Sequence, residues 1–458
     1  MYNKVKGVFS RSEFFRNVLT LTTGTAFAQA LPILISPLLT RLYSPEQFAT
    51  FGLFSALVSI LGVISTGKYE YALLLPKDEE QVKSITVLAF LITCIFGAVT
   101  LLIALVFHEQ ILVFFKNPDF SFWIYLVPLG IIFTGFYQIL NFWNNRNKSY
   151  KKLAKSRVVR AFVSSCFNLI FGFIKVGVKS LQSLGLILGL LIGQVMEVVM
   201  ISPFLFKNFR QKKNQLKDLQ IKAIAKRYIN FPKYDVPSEL MVTTSLQLPV
   251  LLLNRFFSQS TVGLYFHAHK ILSIPLSMVG SAIGQVLFKQ LSDCREDPTR
   301  FSDTVKKTYS NLALLAVVPF SVVGCFGEEV FGFVFGKNWA EAGVYASLIS
   351  PWLFFNFIGS PLTIIFSILE KQKHMFFWVT GIFLVRVIAV LIGVGILQDV
   401  YYTVLLFSIS GAVSYFLMNF YVVSVLSHVR KNDFIRSTFG FPLAILVMVL
   451  LLKLLTVL

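Results

Sequence analysis

The chain is built around repeated apolar runs of about 20 residues, parted by short basic connections. A helix of that length crosses ~30 Å of hydrocarbon at 1.5 Å per residue. Runs of this kind occur at 17–40, 46–66, 84–107, 121–142, 157–177, 181–206, 236–256, 261–287, 309–334, 342–369, 375–397 and 401–427. A thirteenth apolar stretch, 437–457, contains Lys453 and either crosses the bilayer or lies against its surface. The runs are apolar on every side, which excludes barrel strands, whose residues alternate. Only 14% of the 458 residues are charged and the mean hydropathy is +0.72, against about 25% charged in soluble chains. A soluble fold could not cover so much apolar surface. The expected fold class is therefore an all-α polytopic membrane protein.

The basic residues set the orientation, because Lys and Arg accumulate on the cytoplasmic side. With the amino terminus cytoplasmic and twelve alternating spans, 33 of the 42 Lys and Arg fall on that side, Arg160 counted among them. Six fall opposite (Arg41, Lys116, Lys175, Lys179, Arg255, Lys337), and Lys270, Arg386 and Lys453 stay in or near the bilayer. The net charge of +20 is thus a topology signal that calls for no nucleic acid. The polar, basic start of the chain, with Lys4, Lys6, Arg11 and Arg16, leads into an apolar run without a small-residue cleavage site, so no signal peptide is expected. Cys94, Cys166, Cys294 and Cys325 show no paired or metal-binding spacing.

The most basic loop divides the chain into halves of six spans. The resulting organisation is a basic segment 1–16, a bundle 17–206, a cytoplasmic linker 207–235, a second bundle 236–428 and an apolar segment 429–458. A linker helix over about 214–229 would turn Leu216, Leu219, Ala223 and Tyr228 to the membrane and its lysines to anionic headgroups; a solvated linker is the alternative. The halves share a motif: Arg41-Leu-Tyr-Ser-Pro-Glu-Gln-Phe48 lines up with Arg255-Phe-Phe-Ser-Gln-Ser-Thr-Val262, each after a Leu-Pro-aliphatic triplet. Repeating a six-helix half preserves its orientation, so the predicted relation is a parallel repeat about the membrane normal.

Two stretches resemble the oligosaccharide flippases (Wzx-like) of lipopolysaccharide and capsule assembly. One is Lys68-Tyr-Glu70-Tyr-Ala-Leu-Leu-Leu-Pro76-Lys-Asp-Glu-Glu80; the other comprises Phe231-Pro232, Pro237-Ser238, Ser245-Leu-Gln247-Leu-Pro249, Phe257-Ser258, Val262-Gly263-Leu-Tyr265, Pro275 and Gly284-Gln285-Val286. The resemblance extends to about residue 430. It implies the multidrug/oligosaccharidyl-lipid/polysaccharide exporter fold, two six-helix bundles around a central cavity. It also implies a cargo of polyprenyl-pyrophosphate-linked oligosaccharide, an O-antigen or capsule repeat unit, in the bacterial cytoplasmic membrane. Membrane lipids, a polysaccharide polymerase and chain-length machinery are the further partners it suggests; no cofactor or metal is expected.

Such a cargo needs cations and amides at depth, since bare anions and hydroxyls in hydrocarbon cost many kcal/mol. Counted from span ends, Lys270 lies ~14 Å and Arg386 ~16 Å into the membrane. Intramembrane charges are functional candidates by default, with a structural ion pair or a snorkelling side chain as the alternative. The resemblance adds that the position of Lys270 is typically basic in the family. Arg41 and Arg255 either draw pyrophosphate outward or anchor helix ends at headgroups. Lys68 and Glu70 stand at the cytoplasmic exit of the second span, where a local pair suffices to explain them. Gln29, Gln247 and Gln285 either bond sugars or join helices. Glu197 and His267 are the ion-coupling candidates, with an inward polar contact as the plain reading of His267. Pro32, Pro37, Pro249, Pro275, Pro319, Pro351 and Pro361 are expected to kink spans.

No P-loop, HExxH or carboxylate constellation is present, and the outer connections are short. That argues against an ATPase and against a membrane polysaccharide polymerase or ligase, so no enzymatic activity is expected. A multidrug exporter on the same fold is the nearest alternative; it would favour an acidic cavity, whereas the deep charges lean basic. Membrane potential alone would contribute ~4.6 kcal/mol per 100 mV to exporting a doubly anionic head.

Overall fold

The structure is a computed structural model describing residues 23–174, 183–203 and 221–457. The segment 1–16, the start of the first span, Lys175, Lys179 and the linker up to residue 220 lie outside the described residues, as does the side chain of Gln285. Among the described residues the regular structure is helical throughout. A long helix occupies each apolar segment: α1 Thr23–Leu42, α2 Pro45–Ile64, α3 Glu79–Val106, α4 Val127–Arg146, α5 Tyr150–Phe173, α6 Leu184–Ile201 and α7 Val236–Phe256. They continue as α8 Gln259–Asp293, α9 Pro298–Phe335, α10 Ala340–Gly359, α11 Gln372–Ile392, α12 Val400–Phe420 and α13 Phe441–Val457. Eleven stretches of the described residues are long and apolar enough to cross a membrane; α5 and α8 are not among them. The stretch Lys431–Lys453, which contains most of α13, is one of the eleven. The protein is a multi-pass membrane protein.

The chain forms two compact units, 1–247 and 248–458, with the division inside α7. The helix starts show why the repeated motif recurs. In its first copy the Gln47 side chain accepts a hydrogen bond from the Ser44 N–H (2.9 Å) ahead of α2; in its second, the Ser258 hydroxyl accepts from the Thr261 N–H (3.2 Å) ahead of α8. In each copy a side-chain oxygen, of Gln47 in the first and Ser258 in the second, serves a backbone donor at the helix start. Asp78, Asp297 and Asp399 cap α3, α9 and α12 in the same way.

The described end of the linker differs from the expectation. Its helix, Ile221–Arg227, turns Ile224 inward, and Tyr228 follows it into a core shared with Tyr69, Leu73, Val82, Leu140, Trp143 and Ile201. Protein rather than bilayer takes up its apolar face, and Ala223 is exposed. The prolines behave unevenly. Pro249, Pro275, Pro319 and Pro351 lie inside helices, but the non-helical residue in α9 is Phe326 (φ −118°, ψ 24°), next to Gly327 rather than at Pro319.

Helix contacts within each unit rely on glycines. A methyl group on Gly327 of α9 would lie 2.3 Å from the Gly343 carbonyl of α10, and one on Gly343 would lie 2.0 Å from the Gly327 carbonyl. In the first unit, Gly185, Gly189 and Gly193 repeat along one face of α6. A Cβ on Gly189 would lie 2.0 Å from Asn168 Oδ1 and 2.9 Å from the Ser164 carbonyl, both on α5. Small residues at such spacing let backbones meet where no hydrophobic force drives them together. Gly189→Val should therefore lower stability by roughly 1–3 kcal/mol through overpacking, read as a lowered melting temperature of the detergent-purified protein. Gly381→Ala, whose Cβ meets nothing within 4 Å, should leave it within about 0.5 kcal/mol.

Candidate functional site

The glycine row of α6 continues, four residues on, to Glu197, so the face that packs against α5 ends in a carboxylate. There Arg160 of α5 meets it, with Arg160 Nη1 2.8 Å from Glu197 Oε2. Glu197 is 1% exposed and Arg160 37%. Arg160 counts with the cytoplasmic charges, with a place inside its span as the alternative; its guanidinium pairs with an acid on α6. A carboxylate in such surroundings is tolerable only with a partner.

Beside this pair lies a cavity of about 290 Å³. Its lining includes Ser55 and Ser59 of α2, Thr134, Tyr137 and Gln138 of α4, Arg160 of α5 and Gln194 of α6, with Val58 and Leu190 as apolar wall. Gln194 donates to Thr134 Oγ1 (3.2 Å), and Arg157 donates to the Tyr137 hydroxyl (3.2 Å) and to Thr25 Oγ1 (2.6 Å). Three apolar helices and the more polar α5 thus border a cavity with polar side chains in its lining, whose one charged lining group, Arg160, is paired with Glu197.

A second assembly forms at the turn after α2. Gly67 and Lys68 both take left-handed backbone (φ +60° each), which returns the Lys68 side chain into the protein. Lys68 is 2% exposed; its Nζ lies 2.8 Å from Glu239 Oε2 of α7 and 3.8 Å from Glu70 Oε1. Thr66 donates to Glu70 Oε2 (2.5 Å) and Tyr71 to Glu239 Oε2 (3.2 Å). Arg146 at the end of α4 holds the same turn through the carbonyls of Leu73 (3.0 Å) and Pro76 (2.7 Å). The local Lys68–Glu70 pair is thus the longer half of a network centred on Glu239, a residue the sequence did not single out. Burial pushes the Glu70 carboxyl above its ordinary range, partly offset by the Thr66 hydroxyl and the Lys68 ammonium.

In the second unit, Arg386 of α11 is 1% exposed. Its guanidinium lies 4.3 Å from the Trp352 ring centroid, 4.7 Å from Phe407 and 5.6 Å from Tyr415. Gly411 leaves room for this stack: a Cβ there would come within 2.5 Å of Arg386 Nη2 and 2.7 Å of the Trp352 ring. His267 is fully buried among Phe331, Phe335 and Trp339, the latter two with ring centroids 4.7 Å away. Lys270 is half-buried on the same helix, with its ammonium 5.9 Å from the Phe266 ring one turn earlier. His269, on another face of α8, stacks on Trp352 (5.6 Å, 8°). Arg41 is exposed at the end of α1, Arg255 is half-buried over the Phe256 ring (5.9 Å), and Gln29 and Gln247 are half-buried on α1 and α7.

A family model described as polysaccharide biosynthesis protein matches residues 38–344. The succinoglycan biosynthesis transport protein ExoT of Rhizobium meliloti (strain 1021) is 23% identical over 338 residues, 72% of this chain and 63% of that protein. The chain therefore spans less than two thirds of that relative's length. Among solved structures, an inward-facing multidrug resistance MATE family transporter of the MOP superfamily is similar, with a TM-score of 0.68 at 12% identity over 90% of this chain and 98% of that one. The lipid II flippase MurJ in an inward closed conformation gives 0.65 at 16% identity, over 97% of each chain. At such identities the likeness establishes the fold alone, one shared with these two transporters.

Two measurements probe the turn. Lys68→Met should cost about 1–3 kcal/mol, toward the low side for a broken buried pair because Glu239 is 39% exposed and partly screened. A double-mutant cycle with Glu239→Gln should recover most of that cost as coupling. Glu70 contributes a pH dependence of definite sign. Its raised value means the folded state holds the proton longer, so the contribution is full below its unfolded value of about 4.3 and is lost as pH rises through the folded one. Glu70→Gln should flatten that decline in stability-against-pH curves.

Proposed function

Because the chain belongs to the polysaccharide biosynthesis protein family, we propose that it is a flippase for polyprenyl-pyrophosphate-linked oligosaccharide. The cargo, an O-antigen or capsule repeat unit, passes from the cytoplasmic to the outer leaflet of the bacterial inner membrane by alternating access, with the amino terminus cytoplasmic. The observation that carries this reading is the cavity beside Arg160 and Glu197, with hydroxyl, amide and guanidinium side chains in its lining, three of whose four helices are apolar enough to span a bilayer. A channel for small apolar solutes has no use for hydroxyls, amides and a guanidinium at that depth, and each is costly to bury. A lipid-linked glycan has a head that needs such groups and a tail that does not.

In this reading Lys270, Arg386, Arg41 and Arg255 attract the pyrophosphate along its path, and Gln29, Gln247 and Gln285 meet sugar hydroxyls. The parallel repeat of two six-helix bundles is the architecture it assumes. Energy comes from the membrane potential acting on the anionic head, at about 2.3 kcal/mol per charge and 100 mV, and no enzymatic step is required. A multidrug exporter on the same fold is the alternative. Organic cations favour unmatched carboxylates, and Glu197, the acid beside the chamber, is already bonded to Arg160. That observation disfavours a cationic cargo.

Deletion of the gene should accumulate lipid-linked glycan on the inner leaflet, measured by lipid extraction and leaflet-selective labelling. Lys270→Ala should abolish surface polysaccharide while the protein level stays normal. Unchanged polysaccharide would remove Lys270 from the path, and a deletion strain without accumulated glycan would refute the flippase reading.

A further inference from the structure

The connection between α3 and α4 is a folded element. The apolar run of α3, residues 84–107, extends for about 36 Å at 1.5 Å per residue. Hydrocarbon is ~30 Å thick, so the end of α3 stands at a boundary of the bilayer. A short helix, His108–Phe115, turns off there. Its first residue is fixed on the protein: the His108 ring stacks on Tyr125 (5.1 Å, 3°), and its Nε2 lies 3.1 Å from the Ser121 hydroxyl. Lys116 ends the helix in left-handed backbone (φ +49°). Phe115, Phe120 and Trp123 are buried and hold the connection down.

The other side of this helix is exposed, and its polarity has an order. Val113 is 69% exposed and Phe114 54%, with Phe107 before them and Phe122 after them exposed as well. Glu109 and Gln110 are also exposed, four residues earlier and so one turn back on the same side. Polarity therefore changes along the helix axis. A helix lying flat on a membrane differs in having one apolar face and one polar face. A polar start and an apolar end are what a helix entering the boundary at a slope requires. Lys116, just past the apolar end, has a stem long enough to return its ammonium toward water.

Continuity identifies what covers Val113 and Phe114. Leu101, Leu102, Ile103, Leu105 and Val106, on the last turns of α3, are exposed, and α3 is a membrane-spanning helix whose exposed side meets hydrocarbon. That apolar surface runs on through Phe107 into the connection. A second copy of the chain is a poorer fit. A stable interface takes ~800 Å² from each partner, and three partly exposed side chains supply at most a few hundred Å².

We infer that the connection between α3 and α4 is a shallow re-entrant element in contact with lipid. Its helix begins at headgroup level with Glu109 and Gln110 and ends with Val113 and Phe114 among the acyl chains. The proposed orientation makes this the outer leaflet, but the contact itself is independent of what the protein carries.

The test uses the full-length chain in lipid nanodiscs, with its four cysteines replaced by Ala. Single cysteines at positions 110, 113 and 114, and at Leu102 as the lipid-facing reference, are spin-labelled. Collision rates are then measured with oxygen, which concentrates in lipid, and with a nickel chelate, which stays in water. The ratio of oxygen to nickel collisions at 113 and 114 should approach that at 102 and exceed the ratio at 110 severalfold. Equal ratios at 110 and 113, both on the nickel side, would place the helix in solvent. Labels at 113 and 114 shielded from both reagents only in discs holding two chains would make the patch an interface between copies. Either result overturns the proposal. If the cysteine-free chain does not fold, Phe114→Trp in the otherwise unchanged chain gives the same reading. Brominated lipid should then quench fluorescence beyond that of the parent protein, and no added quenching overturns the proposal.

Discussion

A charge buried among apolar helices is costly unless it finds its partner inside the protein, because hydrocarbon around the helices offers neither water nor hydrogen bonds. That demand organises the three charged assemblies. Arg160 is matched by Glu197 across two helices, Lys68 by Glu239 and Glu70 at a left-handed turn, and Arg386 by the faces of Trp352, Phe407 and Tyr415. The glycines follow from the same demand. Helices in hydrocarbon gain little from apolar contact alone, so they are brought close by small residues, and Arg160 can reach Glu197 because Gly189 and Gly193 let α5 lie against α6.

The three assemblies differ in what they leave over. Around Arg386 the packing is complete: three aromatic rings and the gap at Gly411 enclose the guanidinium, which is itself a cation–π contact of the desolvated kind. At Lys68 the ammonium is saturated by two carboxylates, and the network ties the turn after α2 to α7 within the first unit. Beside Arg160 the guanidinium is paired with Glu197 Oε2, while the other carboxylate oxygen and the Gln138 and Gln194 amide oxygens have no hydrogen-bond partner among the described residues.

Much of the fold was legible because hydrophobic run length is a property of single segments. A stretch of twenty apolar residues is costly anywhere but in a bilayer or a core, whatever its neighbours do, and a long helix occupies each such stretch. Caps at Ser44, Asp78, Ser258 and Asp399 are equally local. The partnerships were not legible, because they depend on which face of one helix meets which face of another. Arg160 and Glu197 lie on different spans, and nothing in either segment names the other; the one available signal was the row Gly185, Gly189, Gly193, Glu197, which marks a packed face ending in an acid. Glu239 was hidden for a related reason. An acidic residue near a helix start already has a sufficient explanation in the helix dipole, so its contact with a lysine in a distant turn leaves no trace in spacing. Neither reading of the linker, a helix on the membrane or a solvated segment, puts Tyr228 in a protein core, because a short amphipathic helix looks the same whether lipid or protein covers it.

The last apolar stretch shows how a backbone defect and a charge can account for each other. Phe326 departs from helical geometry, so the ladder of α9 is interrupted beside Cys325. The ammonium of Lys453 on α13 donates to the Cys325 carbonyl, lies 5.7 Å from the Phe326 ring and comes within 3.8 Å of Glu329. A lysine in an apolar helix usually reads as a side chain straining toward an interface. Here it reaches a backbone carbonyl next to the break and a carboxylate one turn on, and a helix with its charge so engaged loses the main objection to its lying among the spans.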